Sequence, residues 1–221
     1  MLRKIELVIV LLIIAGFVIL NKNLGEMASA DQVETIKKIV VIDPGHGGGD
    51  PGKVGVTGAE EKEINLQIAT KMKKLLEERG FSVVMTREKD EMLEGDKKED
   101  MKKRVNIINE VKPDIAVSIH QNSFTDATVY GAQTFYYSES EEGKQYAQVI
   151  QNALLEIDES NHRKAKANDN YYLLLRTKVP TVIVECGFLS NKEEAEKLSD
   201  NHYQEEISKV IVDGIESCFG N

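Results

Sequence analysis

The chain lacks clustered basic residues, internal repeats and low-complexity tracts, and it holds only two cysteines among 221 residues. Each absence closes off a class of protein. Lysine and arginine number 28 against 37 acidic residues, for a formal net charge of -9, and the two signs are interleaved, which excludes a nucleic-acid binder built on a basic face. Cys186 and Cys218 are too few for a disulfide framework; at most they form one bridge, and two free thiols are the expectation. With no repeat and no second module after the core, the length points to one domain large enough to bury a full hydrophobic core.

What is present begins with a leader. Arg3 and Lys4 precede the apolar stretch Leu7 to Leu20, and Ala28-Ser29-Ala30 follows with the small-x-small form of a cleavage site. As a helix, the apolar stretch reaches about 21 Å, short of a bilayer core of about 30 Å. Residues 1–30 are therefore read as a signal peptide or an N-terminal membrane anchor, and 31–221 as the domain that works outside the cytoplasm.

Strand and helix signals then alternate. Strands are expected at Ile39–Asp43, Phe81–Thr86, Asp114–Ile119, Gln133–Tyr137, Tyr171–Leu175 and Thr181–Glu185. Helical spacing runs over Glu60–Arg79, closed by Gly80, and over Asp100–Val111, stopped by Pro113. Further helices are expected at Glu141–Ile157, Lys192–Leu198 and Tyr203–Cys218. The fold class is α/β: a single domain with a central, mostly parallel sheet of about six strands flanked by helices. Two polar segments, Glu88–Glu99 and Asn161–Asn170, are read as solvated loops.

Two of the four histidines end apolar runs. His46 lies in the turn Asp43-Pro44-Gly45-His46-Gly47-Gly48-Gly49-Asp50 after the first strand, and His120 follows Ile115-Ala116-Val117-Ser118-Ile119. Both fall at carboxyl ends of strands, where open α/β sheets hold ligands. A hydrolytic zinc site takes three histidine or carboxylate ligands and leaves a position for water. Glu60, Glu61 and Glu63 all open the first helix and are equivalent candidates by spacing, although acids there also complement a helix dipole. Glu185 ends Val182-Ile183-Val184 at the same edge, where a buried carboxylate needs a partner. Cys186, its neighbour, should point the other way. His162 and His202 are read as surface residues. Gly47 to Lys53 matches the start of a phosphate loop, but Val54 replaces serine or threonine, Asp50 repels phosphate and Pro51 lacks a donor, so no nucleotide is expected.

These residues belong to a longer pattern. Ile42-Asp43-Pro44-Gly45-His46-Gly47-Gly48, Glu61-Lys62 with Asn65-Leu66, Thr86-Arg87 with Asp90, and Arg104 with Asn106 come first. Ser118-Ile119-His120-Gln121-Asn122 and Pro180 through Val184-Glu185-Cys186-Gly187-Phe188-Leu189-Ser190-Asn191 follow in order. Over residues 39 to about 219 the chain resembles the zinc-dependent N-acetylmuramoyl-L-alanine amidases of the amidase-3 family. The resemblance implies that His46, Glu61 and His120 hold one zinc ion and that Glu185 is the catalytic carboxylate. Asn122 and Arg176 are candidate substrate or oxyanion contacts.

The implied reaction is hydrolysis of the amide between N-acetylmuramic acid and L-alanine in peptidoglycan. The small domain and hydrophobic leader resemble the short cortex-type amidases of endospore-forming bacteria, which act on the route to muramic-δ-lactam. An exported or membrane-anchored protein partner that localises or activates the enzyme is a further expectation, since no wall-binding module is seen. Two other readings stand beside this one: a zinc peptidoglycan carboxypeptidase or deacetylase, and a non-catalytic wall-binding protein.

Overall fold

Short runs of β-branched residues set the frame of the domain. The computed structural model describes residues 37–220, so the leader read over residues 1–30 lies outside the described residues. Six strands form one sheet: β1 (Ile39–Pro44), β2 (Ser82–Met85), β3 (Ile115–Asn122), β4 (Gln133–Tyr136), β5 (Lys166–Ala167) and β6 (Thr181–Phe188). Their order is β2-β1-β3-β6-β4-β5. β1, β2, β3 and β6 are parallel, while β4 joins β6 antiparallel and carries β5 parallel to itself. This is the expected mostly parallel α/β sheet.

Side-chain alternation along the strands divides the core into two layers. Val40, Ile42, Val117, Ile119, Val182 and Val184 face one side. There they pack on α1 (Glu61–Glu78), α3 (Glu141–Glu156) and α6 (Asn201–Ser217), with α5 (Lys192–Ser199) at the margin. Val41, Ala116 and Ile183 face the other side, against Val105 and Ile108 of α2 (Lys97–Val111) and Leu173 and Leu174 of α4 (Tyr172–Arg176). Ile64, Ile68, Met72 and Leu76 recur on one face of α1 and are buried there, each such burial contributing roughly 1.5–3 kcal/mol. No helix among the described residues is long and apolar enough to cross a membrane.

Helix boundaries follow side-chain caps more closely than apolar spacing. Asp96 accepts hydrogen bonds from the Lys98 and Glu99 amides, so α2 starts at Lys97, three residues before the expected Asp100. Lys112, with φ +51°, ends that helix just before Pro113. Asp200 caps α6 in the same way, so it starts at Asn201, ahead of the expected Tyr203.

One expected strand is a helix. Tyr171–Leu175 does not join the sheet; Tyr172–Arg176 forms α4, whose Leu173 and Leu174 cover the sheet face next to β6. The strand that fills the edge position is the two-residue β5, exposed and paired with Phe135 and Tyr136. It falls inside Asn161–Asn170, which is therefore more than a solvated loop. Asn161 is buried and donates to the Ala132 carbonyl, and the Arg163 guanidinium lies 4.6 Å from the centre of the Phe188 ring. Glu88–Glu99 is exposed along most of its length, as expected, and His162 and His202 lie at the surface.

Candidate active site

The sequence of strand crossovers creates the cleft. From β1 the chain moves to β2 on one side and returns to β3 on the other, so the carboxyl ends of β1 and β3 diverge at a topological switch point. His46 follows β1, His120 lies near the end of β3, and Glu61 is the first residue of α1, which connects β1 to β2. One carboxylate oxygen joins the three: Glu61 Oε1 lies 2.9 Å from His120 Nδ1 and 3.2 Å from His46 Nε2. Among the described residues these three form the one His, Cys, Asp or Glu group able to hold a metal ion, with ligand atoms within 4.8 Å of one another. Glu60 and Glu63 stay outside it.

Backbone shape makes this convergence possible. A Cβ on Gly45 would come within 2.7 Å of His120 Nδ1 and nearer still to Cε1 and Nε2. On Gly52, at φ +67°, it would lie 2.6 Å from Glu61 Oε2 and 2.7 Å from His46 Cδ2. His46 itself holds φ +62°, a region few residues with a side chain adopt. Such backbone persists when the surroundings fix it. Arg104 donates to the Pro44 and His46 carbonyls at 2.7 and 2.6 Å, and Arg87 donates to those of Pro44 and Gly45, both at 3.0 Å.

Both arginines are buried, and Arg104 requires anionic partners. Asp43 supplies one: it accepts from Arg104 Nη1 at 2.7 Å, Thr86 Oγ1 at 2.6 Å and Ser118 Oγ at 2.6 Å. Asp100 accepts from Arg104 Nε at 2.7 Å. Burial opposes ionisation of Asp43, but the Arg104 charge and these hydrogen bonds outweigh it and hold its pKa at about 2. The residues Asp43, Thr86, Arg87 and Arg104, which carried the family pattern without a role, thus build the floor under the histidine loop.

Glu61 is likewise ionised against burial. Hydrogen bonds with His120 and His46 hold its carboxyl well below the usual carboxylate range. The Lys53 and Gln121 amides donate to it at 2.8 and 3.1 Å, fixing both oxygens. A carboxylate and two imidazoles converging on one point form a donor set that suits a divalent metal ion such as zinc.

Glu185 faces the same region from β6. It pairs with His120 in the β3–β6 register, while Cys186 points into the opposite core layer and Cys186 and Cys218 are free thiols. Burial pushes the Glu185 pKa up to about 7, against the pull of His120, and its Oε2 is buried without a hydrogen-bond partner among the described residues. A cavity of about 100 Å³ opens beside it, lined by residues including His120, Ser118, Met101, Tyr171 and Tyr172. Several water molecules fit such a space; a glycopeptide does not.

Sequence reading missed Tyr171 at this site. Placed at the start of α4, its hydroxyl lies beside Glu185 and favours the ionised carboxylate. Nothing local in the sequence signals this, because the contact depends on how α4 packs across β6. The two candidate substrate contacts fall elsewhere. Asn122 turns its Oδ1 to the Ser123 amide at 2.7 Å and accepts from the Leu189 amide through its carbonyl. Arg176 ends α4, exposed, with its guanidinium 5.7 Å from the Tyr172 ring. Neither lines the cavity beside Glu185.

Known proteins share this fold. The chain is 39% identical over 186 residues to the germination-specific N-acetylmuramoyl-L-alanine amidase of Bacillus subtilis, covering 80% of this chain and 78% of that protein. Its fold superposes with a TM-score of 0.80 on the CwlD amidase of Clostridioides difficile, solved in complex with the GerS lipoprotein. Identity there is 38%, over 83% of this chain and 98% of the other. The catalytic domain of CwlV, an N-acetylmuramoyl-L-alanine amidase of Bacillus (Paenibacillus) polymyxa, gives 0.73 at 32% identity, over 81% and 97% of the two chains. The family model of N-acetylmuramoyl-L-alanine amidases matches residues 40–217, from the first strand to the last helix. With the fold, the motif order and this match in agreement, the chain belongs to the amidase-3 family, an N-acetylmuramoyl-L-alanine amidase acting on peptidoglycan.

Proposed function

We propose that His46, Glu61 and His120 hold one zinc ion and that Glu185 moves the proton in hydrolysis of the amide joining N-acetylmuramic acid to L-alanine. The observation that carries this reading is the placement of Glu185, buried beside His120 with one oxygen that has no hydrogen-bond partner among the described residues. Bound zinc would polarise the amide carbonyl and acidify a water, the chemistry such a centre supplies in hydrolases. Glu185, with a pKa near 7, accepts a proton from the attacking water and returns it to the leaving amine nitrogen. Tyr171 steadies the ionised form of that carboxylate. The floor of Asp43, Arg87 and Arg104 keeps the histidine loop in place through both steps.

Membership of the amidase family displaces the carboxypeptidase, deacetylase and non-catalytic readings. We assign the substrate further to spore-cortex peptidoglycan, on the route to muramic-δ-lactam, because the similar Bacillus protein is germination-specific. The enzyme would then act outside the cytoplasmic membrane, in the intermembrane space of a forespore. A lipid-anchored or otherwise exported protein partner fits the same reading, since the similar Clostridioides amidase was solved bound to a lipoprotein. Asn122 and Arg176 retain a proposed role only as outer contacts for the glycan or stem peptide.

Digestion of purified peptidoglycan tests the chemistry. New L-alanine amino termini should appear with zinc, vanish after chelation and return when zinc is restored; release that persists through chelation refutes the zinc assignment. Spores lacking the protein should be deficient in muramic-δ-lactam, and a normal lactam content refutes the cortex assignment.

A further inference from the structure

We propose that Asp50 is a positioning residue for the metal centre, fixing the His46 imidazole through Nδ1, and that the charged segment 88–99 braces the loop carrying both. The inference rests on the zinc reading above. His46 Nδ1 lies 2.8 Å from Asp50 Oδ2, while Nε2 of the same ring faces Glu61 at 3.2 Å. A carboxylate accepts, so Nδ1 donates in that contact, and with a metal bound Nε2 would be the ring nitrogen free to serve as its ligand beside Glu61 and His120. A ring flip would exchange the two nitrogens and break the geometry. No other hydrogen bond to a His46 ring nitrogen is seen among the described residues apart from the Glu61 contact.

The carboxylate is itself held. Asp50 Oδ1 accepts from the Gly52 amide at 3.2 Å and pairs with Lys97 Nζ at 2.6 Å, and the Asp50 backbone closes a two-way hydrogen bond with Gly47. Its side chain is only 14% exposed.

Segment 88–99 supplies the rest of the brace. Asp90 Oδ1 accepts from the Gly48 amide at 2.7 Å, and Lys62 Nζ reaches both Asp90 Oδ2 at 2.8 Å and the Gly48 carbonyl at 2.9 Å. The Glu91 carbonyl and Met92 lie so close to Gly47 and Gly48 that a Cβ at either would collide with them. A loop of glycines at φ +139° and +55° has little stiffness of its own, so these outside contacts define where His46 sits. The length and charge of the segment, unexplained as a solvated loop, gain a function.

A histidine ligand whose second nitrogen donates to a carboxylate typically loses about 10–100-fold in metal affinity when that partner is removed. The test measures zinc affinity of the full chain by competition with a chromogenic chelator, for the wild type, Asp50→Ala and Asp50→Asn, alongside the thermal midpoint of each metal-free protein. Asp50→Ala should lose about 10–100-fold in affinity with a nearly unchanged metal-free midpoint. Asp50→Asn keeps an acceptor oxygen and the turn, and should lose less. The zinc-loaded wild type should also show a slowly exchanging His46 Nδ1 proton by NMR that Asp50→Ala lacks. Affinity in Asp50→Ala within twofold of the wild type overturns the proposal. So does an affinity loss that merely tracks collapse of the metal-free midpoint in both variants, because Asp50 would then only close the turn. A wild type that takes up no zinc refutes the metal reading itself, an outcome distinct from either.

Discussion

His120 and Glu185 are direct partners in the parallel β3–β6 ladder, and the register shifts immediately beyond them, where Asn122 pairs with Phe188. Adjacent strands in register place both side chains on one face, so the imidazole and the carboxylate share a wall of the cleft without any loop to position them. Rigid elements hold catalytic groups more tightly than loops do. Glu185→Gln keeps the shape and removes the proton acceptor. Turnover should fall by about 10²–10⁴-fold, the usual contribution of a general base, while zinc content by atomic absorption stays at the wild-type value. Retained turnover would remove Glu185 from the reaction.

The glycine before His46 is decisive for His120 instead. Because a Cβ at position 45 would occupy the space of the His120 ring, Gly45→Ala must push that imidazole away from Glu61. Gly45 φ is not in the left-handed region, so the backbone tolerates alanine and the fold survives. We expect a normal circular dichroism spectrum together with a zinc affinity lowered by about tenfold or more, comparable to losing ligand support. Full affinity in the variant would show that His120 does not need its present place.

Acid should weaken the domain through Asp43. Its folded pKa, about 2, lies below the ordinary value of 3.8, so the ionised form is favoured by folding. Stability from this group is complete above the unfolded pKa and is lost as pH falls from about 4 toward 2, amounting to about 2 kcal/mol. Urea unfolding of the metal-free wild type at pH 6 and pH 2.5 should show that loss. Asp43→Asn leaves Arg104 buried without one of its anions, so it should be the less stable protein at pH 6 by roughly 3–5 kcal/mol. Its own decline between the two pH values should be smaller. Parallel declines in both proteins would assign the acid sensitivity to other groups.

How far the sequence discloses this molecule depends on the range of the interaction. Strands β1, β3 and β6 are buried on both faces and read as continuous apolar runs, and their ends give His46, His120 and Glu185 directly. Which glutamate of α1 joins them is not legible from spacing; it requires the family pattern, and the fold explains it through Lys53 and Gln121, whose amides reach Glu61 alone. Tyr171–Leu175 misleads because a short apolar run has no helical or extended signature of its own. There tertiary packing decides, placing Leu173 and Leu174 over Ile183. β5 is two exposed residues whose strand character exists only through pairing with β4. The buried floor is hidden for a related reason: Asp43, Arg87 and Arg104 meet only after the β1–α1–β2 crossover has formed and α2 has packed back on the sheet.

The two cysteines provide a test of the layer assignment that is independent of catalysis. Cys186 follows Glu185 in β6, and strand alternation sends its thiol into the core packed by α1, α3 and α6, where it is essentially inaccessible. Burial pushes that thiol far above its ordinary pKa, so almost no thiolate forms near neutrality. Cys218, at the end of α6, is only partly buried; burial raises its pKa to about 12, and its Sγ sits 3.2 Å from the Gly214 carbonyl. Thiolate is the reactive form, so both should be slow, with Cys218 the faster because access differs. A maleimide titration of the native protein should label Cys218 first, and Cys186 only at the rate of unfolding. Rapid native labelling of Cys186 would place its side chain on the cleft face in place of Glu185, and the β6 register, on which the Glu185 assignment depends, would have to shift by one residue.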